Sequence, residues 1–105
     1  MQEQIDRFLE YLLAEEEASD NTIAAYRNDL NQLRAFLVDY RTPFGDSVQA
    51  WSAVDAIAVQ SYQLELKRRD YAATTVARKV AAIKSFFEYL HATGVVADDP
   101  SDGLA

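Results

Sequence analysis

The chain has 105 residues, with 17 Asp and Glu against 10 Lys and Arg, no Cys, and a formal net charge of −7. Half of the residues are apolar and 26% are charged, a balance typical of one soluble globular domain with a single core. The lack of Cys excludes a disulfide framework and a thiolate metal site. There is neither a signal peptide nor an apolar run near the roughly 20 residues that cross a bilayer, which favours a cytoplasmic protein without a membrane partner. Taken whole, the negative charge argues against a polyanion as partner.

Apolar residues recur at intervals of three and four along most of the chain, which is the spacing of a buried helix face. Ser19 and Asp55 stand where N-caps are expected, and Gly94 supplies a C-terminal stop. Pro43 and Gly45 interrupt the pattern between the second helix and the third. The spacing predicts four helices, at about 3–17, 20–40, 55–69 and 73–93, with a loop over 41–53.

Short links between the helices, and the absence of any alternating strand pattern, favour an all-α bundle of two packed helical hairpins. Trp51 is expected to pack the central loop onto this bundle. Residues 97–105 have the composition of a linker, so we expect the domain to cover 1–96. The predicted core comprises Phe8, Leu12, Tyr26, Leu30, Phe36, Phe87 and Leu90.

The charges are distributed very unevenly along the chain. Residues 1–20 carry a net charge of −6 and residues 85–105 carry −4. Residues 67–84 hold six of the ten bases and a single acid, Asp70, which gives +5. A basic surface is therefore expected on an acidic protein, and the negative total does not exclude a nucleic-acid partner.

Two helix faces have a composition that suits a groove of duplex DNA. On the fourth helix, Arg78 is expected to point outward from a slim face that includes Ala82, with Lys79 and Lys84 flanking it. On the second helix, amides face away from the core and can bond base edges, while hydroxyl and guanidinium groups can hold phosphates. The candidate contact residues on the two faces are Thr22, Arg27, Asn28, Asn31, Thr74, Thr75, Arg78, Lys79 and Lys84.

Each of these features also has an ordinary structural interpretation. Residues 67–69 are basic and end a helix, where cations complement the helix dipole. Exposed Asn, Gln and Ala are common on any solvated helix face. On residue types alone, DNA binding and a solvated surface both stay open.

No catalytic site can be assembled from the sequence. His91 is the only histidine, and the run from Glu15 to Glu17 projects its carboxylates in different directions along a helix. There is no Gly-rich phosphate loop and no paired-carboxylate arrangement. The sequence therefore predicts no catalytic residues, no cofactor, no metal and no small-molecule substrate.

Two blocks of sequence keep a distinctive order and spacing. The first reads Asn-Thr-x-x-x-Tyr-Arg-x-Asp-Leu from Asn21 to Leu30, and the second covers 75–90 and continues from Gly94 to Pro100. Together they resemble the N-terminal core-binding domain of tyrosine recombinases, with the Xer-type and phage-integrase branches as the nearest fit. The resemblance covers almost the whole chain.

The resemblance implies a SAM-like helical bundle that grips one face of duplex DNA during DNA recombination or integration. It adds Tyr26 to the DNA-facing residues, although this ring also falls on the apolar stripe of the second helix. Ala72 and Ala73 replace the usual Ser-Pro opening of the last helix, so its cap is expected to shift to Thr74 or to be lost. Glu17 and Ala18 stand where such domains often have Gly.

The resemblance also implies that the catalytic residues of the family follow Ala105, so that this chain binds DNA without cutting it. The partners are then double-stranded DNA and other recombinase subunits. The alternative from a different class is a small helical module that docks on another protein through its acidic first helix and apolar tail.

Overall fold

The computed structural model describes residues 1–104. That range contains no strand and four α-helices: α1 (Gln2–Glu15), α2 (Asp20–Asp39), α3 (Ala56–Arg68) and α4 (Ala73–Ala92). A short 3-10 helix, Trp51–Ala53, lies in the loop between α2 and α3. α1 packs against α2, α3 packs against α4, and α2 and α4 meet at the centre. The predicted all-α four-helix bundle is confirmed, and no helix bound differs from its prediction by more than two residues.

Side-chain caps begin two of the four helices in the described range. The Oγ of Ser19 accepts a hydrogen bond from the Thr22 N–H at 3.1 Å, and the carboxylate of Asp55 accepts one from the Ala58 N–H at 2.8 Å. α4 begins after Ala72 without a side-chain cap, so the cap is lost rather than shifted. Gly94 ends α4 with φ at +80°, a left-handed conformation that suits Gly.

The core lies between the helices and extends under the central loop. Phe8, Leu30, Phe87 and Leu90 are buried as predicted, whereas the predicted core residues Leu12, Tyr26 and Phe36 are only partly buried. These three side chains pack against the edge of the core and are also partly exposed to solvent.

Trp51 attaches the loop to the bundle as predicted. Its indole lies edge-on to the rings of Phe86 and Phe87, with centroid distances of 4.8 and 5.8 Å. The indole N–H also donates a hydrogen bond to the Met1 carbonyl at 2.8 Å, which ties down the start of α1.

Residues 97–104 fold back on the bundle instead of extending away from it. Val96, Pro100, Ser101 and Leu104 are buried, and Leu104 joins the hydrophobic core. Structurally these residues belong to the domain, although their composition is that of a linker. Their role as a connection to a following domain stays a prediction.

Within residues 1–104, no helix has the length and apolar character required to span a membrane.

Candidate nucleic-acid interface

The exposed face of α4 is narrow and is bordered by two cations. At about 100° per residue, Ala81 lies near the middle of this face, with Arg78 to one side and Lys84 to the other. Thr74 is exposed near the start of the helix, and Thr75 is half-buried. A side chain as small as Ala81 allows the helix backbone to approach a partner closely.

Arg78 is held at the edge of this face by a carboxylate of α2. Its Nε and Nη2 donate hydrogen bonds to Oδ2 and Oδ1 of Asp29 at 3.1 and 2.8 Å. The side chain of Arg78 is 45% exposed, whereas that of Asp29 is completely buried. The hydrogen bonds and the charge of Asp29 raise the pKa of Arg78. Arg78 therefore faces outward, as expected, but in a fixed orientation.

Lys79 does not flank the face, and that expectation is wrong. The residue is 3% exposed, and its Nζ lies 2.9 Å from Oδ1 of Asp29 and 2.6 Å from Oε1 of Gln32. The ammonium also lies 5.2 Å from the centre of the Tyr71 ring. It is buried because the carboxylate of Asp29 replaces its water shell between α2 and α4. Ala82 was also expected on the outer face and is fully buried, because it lies one turn from Lys79 and faces the same side.

Lys84 is exposed, and one of the three N–H donors of its ammonium is used within the domain. Its Nζ donates a hydrogen bond to the Leu104 carbonyl at 2.8 Å, so Lys84 joins α4 to the folded tail. On the α3 side, Lys84 and Lys67 line a groove of about 560 Å³ together with Ala77 and Ala81. Lys67 has no ion pair in the described part of the chain, 1–104. It is a cation of this surface that the candidate contact set omitted.

The positive charge of the 67–84 segment is partly neutralised by acids from elsewhere. Arg68 and Arg69 pair with Glu65 at 2.9 and 3.3 Å, and Asp29 pairs with Arg78 and Lys79. Counting Glu65 and Asp29 with the segment reduces its net charge from +5 to +3. The basic surface predicted from sequence exists, but it is weaker than the sequence count implies.

The predicted contact residues of α2 face two different neighbours. Arg27 leans toward α1, where its Nη1 lies 3.5 Å from Oδ1 of Asp6. Asn28 and Asn31 are both exposed. By helical spacing, Asn28 lies on the α4 side of α2, the side from which Asp29 reaches Arg78. Only part of the predicted α2 set is therefore next to the α4 face.

Thr22 and Tyr26 line an open groove between α1, α2 and α4. The groove has a volume of about 680 Å³, and Ser85 lines its α4 side. Glu16 and Glu88 also line it, so its charge is negative. Tyr26 is half-buried, with its ring packed against the core, so its apolar spacing reflects real burial.

Sequence reasoning missed Asp29 and Gln32 as functional neighbours of the cations. They stand three positions apart on α2, at the boundary between its apolar and polar faces. Gln32 also donates a hydrogen bond to the Tyr71 hydroxyl at 2.9 Å, and this bond, with help from Arg69, lowers the pKa of Tyr71. In the sequence, the one signal for this arrangement is the position of Asp29, an acid at the edge of the apolar stripe of α2.

No set of His, Asp and Glu side chains in the described range is grouped to hold a metal ion. His91 is exposed on the last turn of α4. The carboxylates of residues 15–17 are likewise exposed.

The fold defines a class of small all-α domains, a four-helix bundle, and here its last helix presents one slim, partly basic face. The sequence profile described as "Phage integrase, N-terminal SAM-like domain" matches residues 5–94, and the chain belongs to this family. The resemblance seen in the sequence is thereby confirmed.

The similar proteins are named as tyrosine recombinases. XerC of Herpetosiphon aurantiacus is 42% identical over 104 residues, which cover 99% of this chain and 32% of the relative. XerC of Roseiflexus castenholzii is 44% identical over 104 residues, covering 99% and 31%. XerD of Vibrio cholerae is 35% identical over 99 residues, covering 92% and 30%. The chain spans about a third of the length of these curated relatives.

Proposed function

We propose that this chain is the DNA-binding domain of a site-specific tyrosine recombinase, and that it binds one face of duplex DNA at the recombination site. The observation that carries the proposal is the α4 face, on which Ala81 lies between Arg78 and Lys84. A small centre brings the helix close to a groove, and cations on both sides reach the phosphates that border it.

α2 supplies the second part of the surface. The amides of Asn28 and Asn31 are exposed and can bond base edges or phosphates. Thr22 and the Tyr26 hydroxyl, which line the groove between α1, α2 and α4, are assigned to phosphates, and so is Arg27, which lies on the α1 side of α2. The proposed contact set is Thr22, Tyr26, Arg27, Asn28, Asn31, Thr74, Thr75, Arg78 and Lys84, without Lys79.

The remaining surface of the domain orients it on DNA. Residues 1–20 carry a net charge of −6, so α1 and the turn after it are repelled by a polyanion. Binding is therefore one-sided, and weak for this domain alone. Strand cleavage is assigned to a separate domain of a longer recombinase, and other recombinase subunits are the protein partners on DNA.

The test is a fluorescence anisotropy titration of a labelled duplex of about 30 base pairs, at about 50 mM salt where phosphate contacts are strong. The variant Arg78→Ala/Lys84→Ala is compared with the control Arg7→Ala/Arg41→Ala, which makes the same change in net charge elsewhere. We expect a loss of affinity of roughly 10- to 100-fold for the first and less than about threefold for the control. Equal losses for the two variants would contradict the assigned face.

A protein-interaction module is the second candidate function. The groove of about 680 Å³ favours it, because Tyr11, Leu12 and Tyr89 give it apolar walls beside Glu16 and Glu88. An absence of duplex binding by the unmodified chain at the lowest salt, together with a stable complex with another protein, would support this candidate.

A further inference from the structure

We propose that Asp29 is a positioning residue for DNA binding, which holds the guanidinium of Arg78 ready to meet a phosphate. This inference rests on the proposed function. Asp29 is buried and has no direct access to DNA, so it can act on binding only through the side chains that it holds, of which Arg78 is the exposed one and Lys79 is buried.

The geometry of the pair leaves the useful edge of the guanidinium free. Asp29 occupies the side edge of Arg78, the one formed by Nε and Nη2. A guanidinium has five N–H donors, and its end edge, formed by Nη1 and Nη2, can make a second two-point contact with a phosphate. Since 45% of the Arg78 side chain is exposed, a partner can reach that edge.

The charges around Asp29 preserve the attraction of Arg78 for an anion. A lone carboxylate would cancel the charge of the guanidinium that it holds. Here the buried ammonium of Lys79 lies 2.9 Å from the same carboxylate, so the three side chains together carry a net charge of +1. Gln32 accepts a hydrogen bond from Lys79 at 2.6 Å and keeps the ammonium in place.

Fixing Arg78 during folding lowers the entropy cost of binding. A free Arg side chain loses rotamer freedom when it binds a phosphate, which weakens the complex. Asp29 anchors Arg78 at two points before DNA arrives, so little of that freedom is left to lose. The opposite possibility is that Asp29 competes with DNA for Arg78. Loss of the Asp29 carboxylate weakens duplex binding if Asp29 positions Arg78, and strengthens it if Asp29 competes.

The test is a double-mutant cycle on duplex affinity, with Asp29→Asn, Arg78→Ala and the combined variant, each checked for folding by urea denaturation. We expect Asp29→Asn to weaken binding about three- to tenfold when Arg78 is present and less than about twofold when it is Ala. An equal weakening in both backgrounds would show a purely structural role and overturn the proposal. A tightening by Asp29→Asn would overturn it as well.

A second variant keeps the test decisive if Asp29→Asn fails to fold. Arg78→Lys retains the charge but cannot make the planar two-point contact with Asp29, so we expect its affinity to fall nearly to that of Arg78→Ala. The matched control is Arg7→Lys, since Arg7 lies on α1, outside the proposed contact set, and pairs only with Glu3 in the described part of the chain, so the variant should lose less than about twofold. Affinity equal to that of the unmodified chain for Arg78→Lys overturns the positioning role alone. Failure of the unmodified chain to bind any duplex overturns the proposed function, and the positioning role with it.

Discussion

The ammonium of Lys79 lies 2.9 Å from Oδ1 of Asp29, and both side chains are buried where α2 meets α4. Such a pair joins the two helical hairpins at their centre. Removing charges from water is costly, so a buried pair is stable only while each partner keeps the other. The loss of one partner leaves an uncompensated charge inside the protein.

Asp29→Ala is therefore expected to lower the free energy of unfolding by about 3–5 kcal/mol, because it leaves Lys79 buried without its carboxylate. Arg78→Ala is the control and is expected to cost less than about 1 kcal/mol, because the Arg78 side chain is 45% exposed. Urea denaturation followed by circular dichroism measures both. Equal costs for the two variants would contradict the description of Lys79 and Asp29 as a buried pair.

The N-caps of α2 and α3 allow a prediction about local stability. Ser19→Ala and Asp55→Ala each remove an acceptor for a backbone N–H and should each lower the free energy of unfolding by about 1 kcal/mol. Thr74→Ala is the control, because α4 has no side-chain cap, and it should change stability by less than about 0.5 kcal/mol. If Thr74→Ala lowered the free energy of unfolding as much as the other two variants, Thr74 would be acting as an N-cap of α4, which the structure does not show.

Glu17 adopts a left-handed backbone conformation with φ at +52°, a region that favours Gly. A residue with a Cβ is strained there by about 1 kcal/mol. Glu17→Gly is therefore expected to raise the thermal midpoint and to add about 0.5–1 kcal/mol to the free energy of unfolding, despite the greater freedom of Gly in the unfolded chain. Ala14→Gly, inside α1, should lower stability by about the same amount. The same sign for both variants would exclude strain at Glu17.

The hydroxyl of Tyr62 is buried without a hydrogen-bond partner in the described range 1–104, and burial raises the pKa of this group above its ordinary value of 10.0. In the unfolded chain Tyr62 ionises near pH 10, whereas in the folded protein it keeps its proton. The contribution of this group to the free energy of unfolding is therefore fully present below pH 10. As the pH rises above 10, that free energy falls by about 1.4 kcal/mol per pH unit.

Tyr62→Phe is expected to remove this alkaline loss and to change stability at neutral pH by less than about 1 kcal/mol, because the hydroxyl makes no bond. Unfolding by urea between about pH 8 and pH 11 provides the measurement. An alkaline slope that is the same with and without the hydroxyl would show that Tyr62 ionises normally in the folded protein.

The sequence was sufficient for features that depend on near neighbours. The spacing of apolar residues predicted the four helices, and Ser19 and Asp55 predicted two caps because a cap bonds a residue three positions away. The packing of Trp51 was also predicted, since a large apolar side chain beside a helix start is seldom left in water.

The position of Lys79 could not be predicted, because its partner Asp29 is 50 residues away in the chain. A Lys side chain is long enough to reach either solvent or the core edge, and its Cβ direction alone does not decide between them. The packing of Leu104 and its carbonyl bond to Lys84 likewise depend on contacts between distant residues. Ala82 was misplaced because a small residue carries little pattern of its own.

The most direct test of the central claim is the affinity of the unmodified chain for a duplex as a function of salt. Since each phosphate contact contributes about −0.9 to the slope of log K against log salt, contacts by Arg78, Lys84 and α2 predict a slope of about −2 or steeper. Arg78→Ala should make the slope shallower by about one. A slope near zero, or no duplex binding at the lowest salt, would contradict the account.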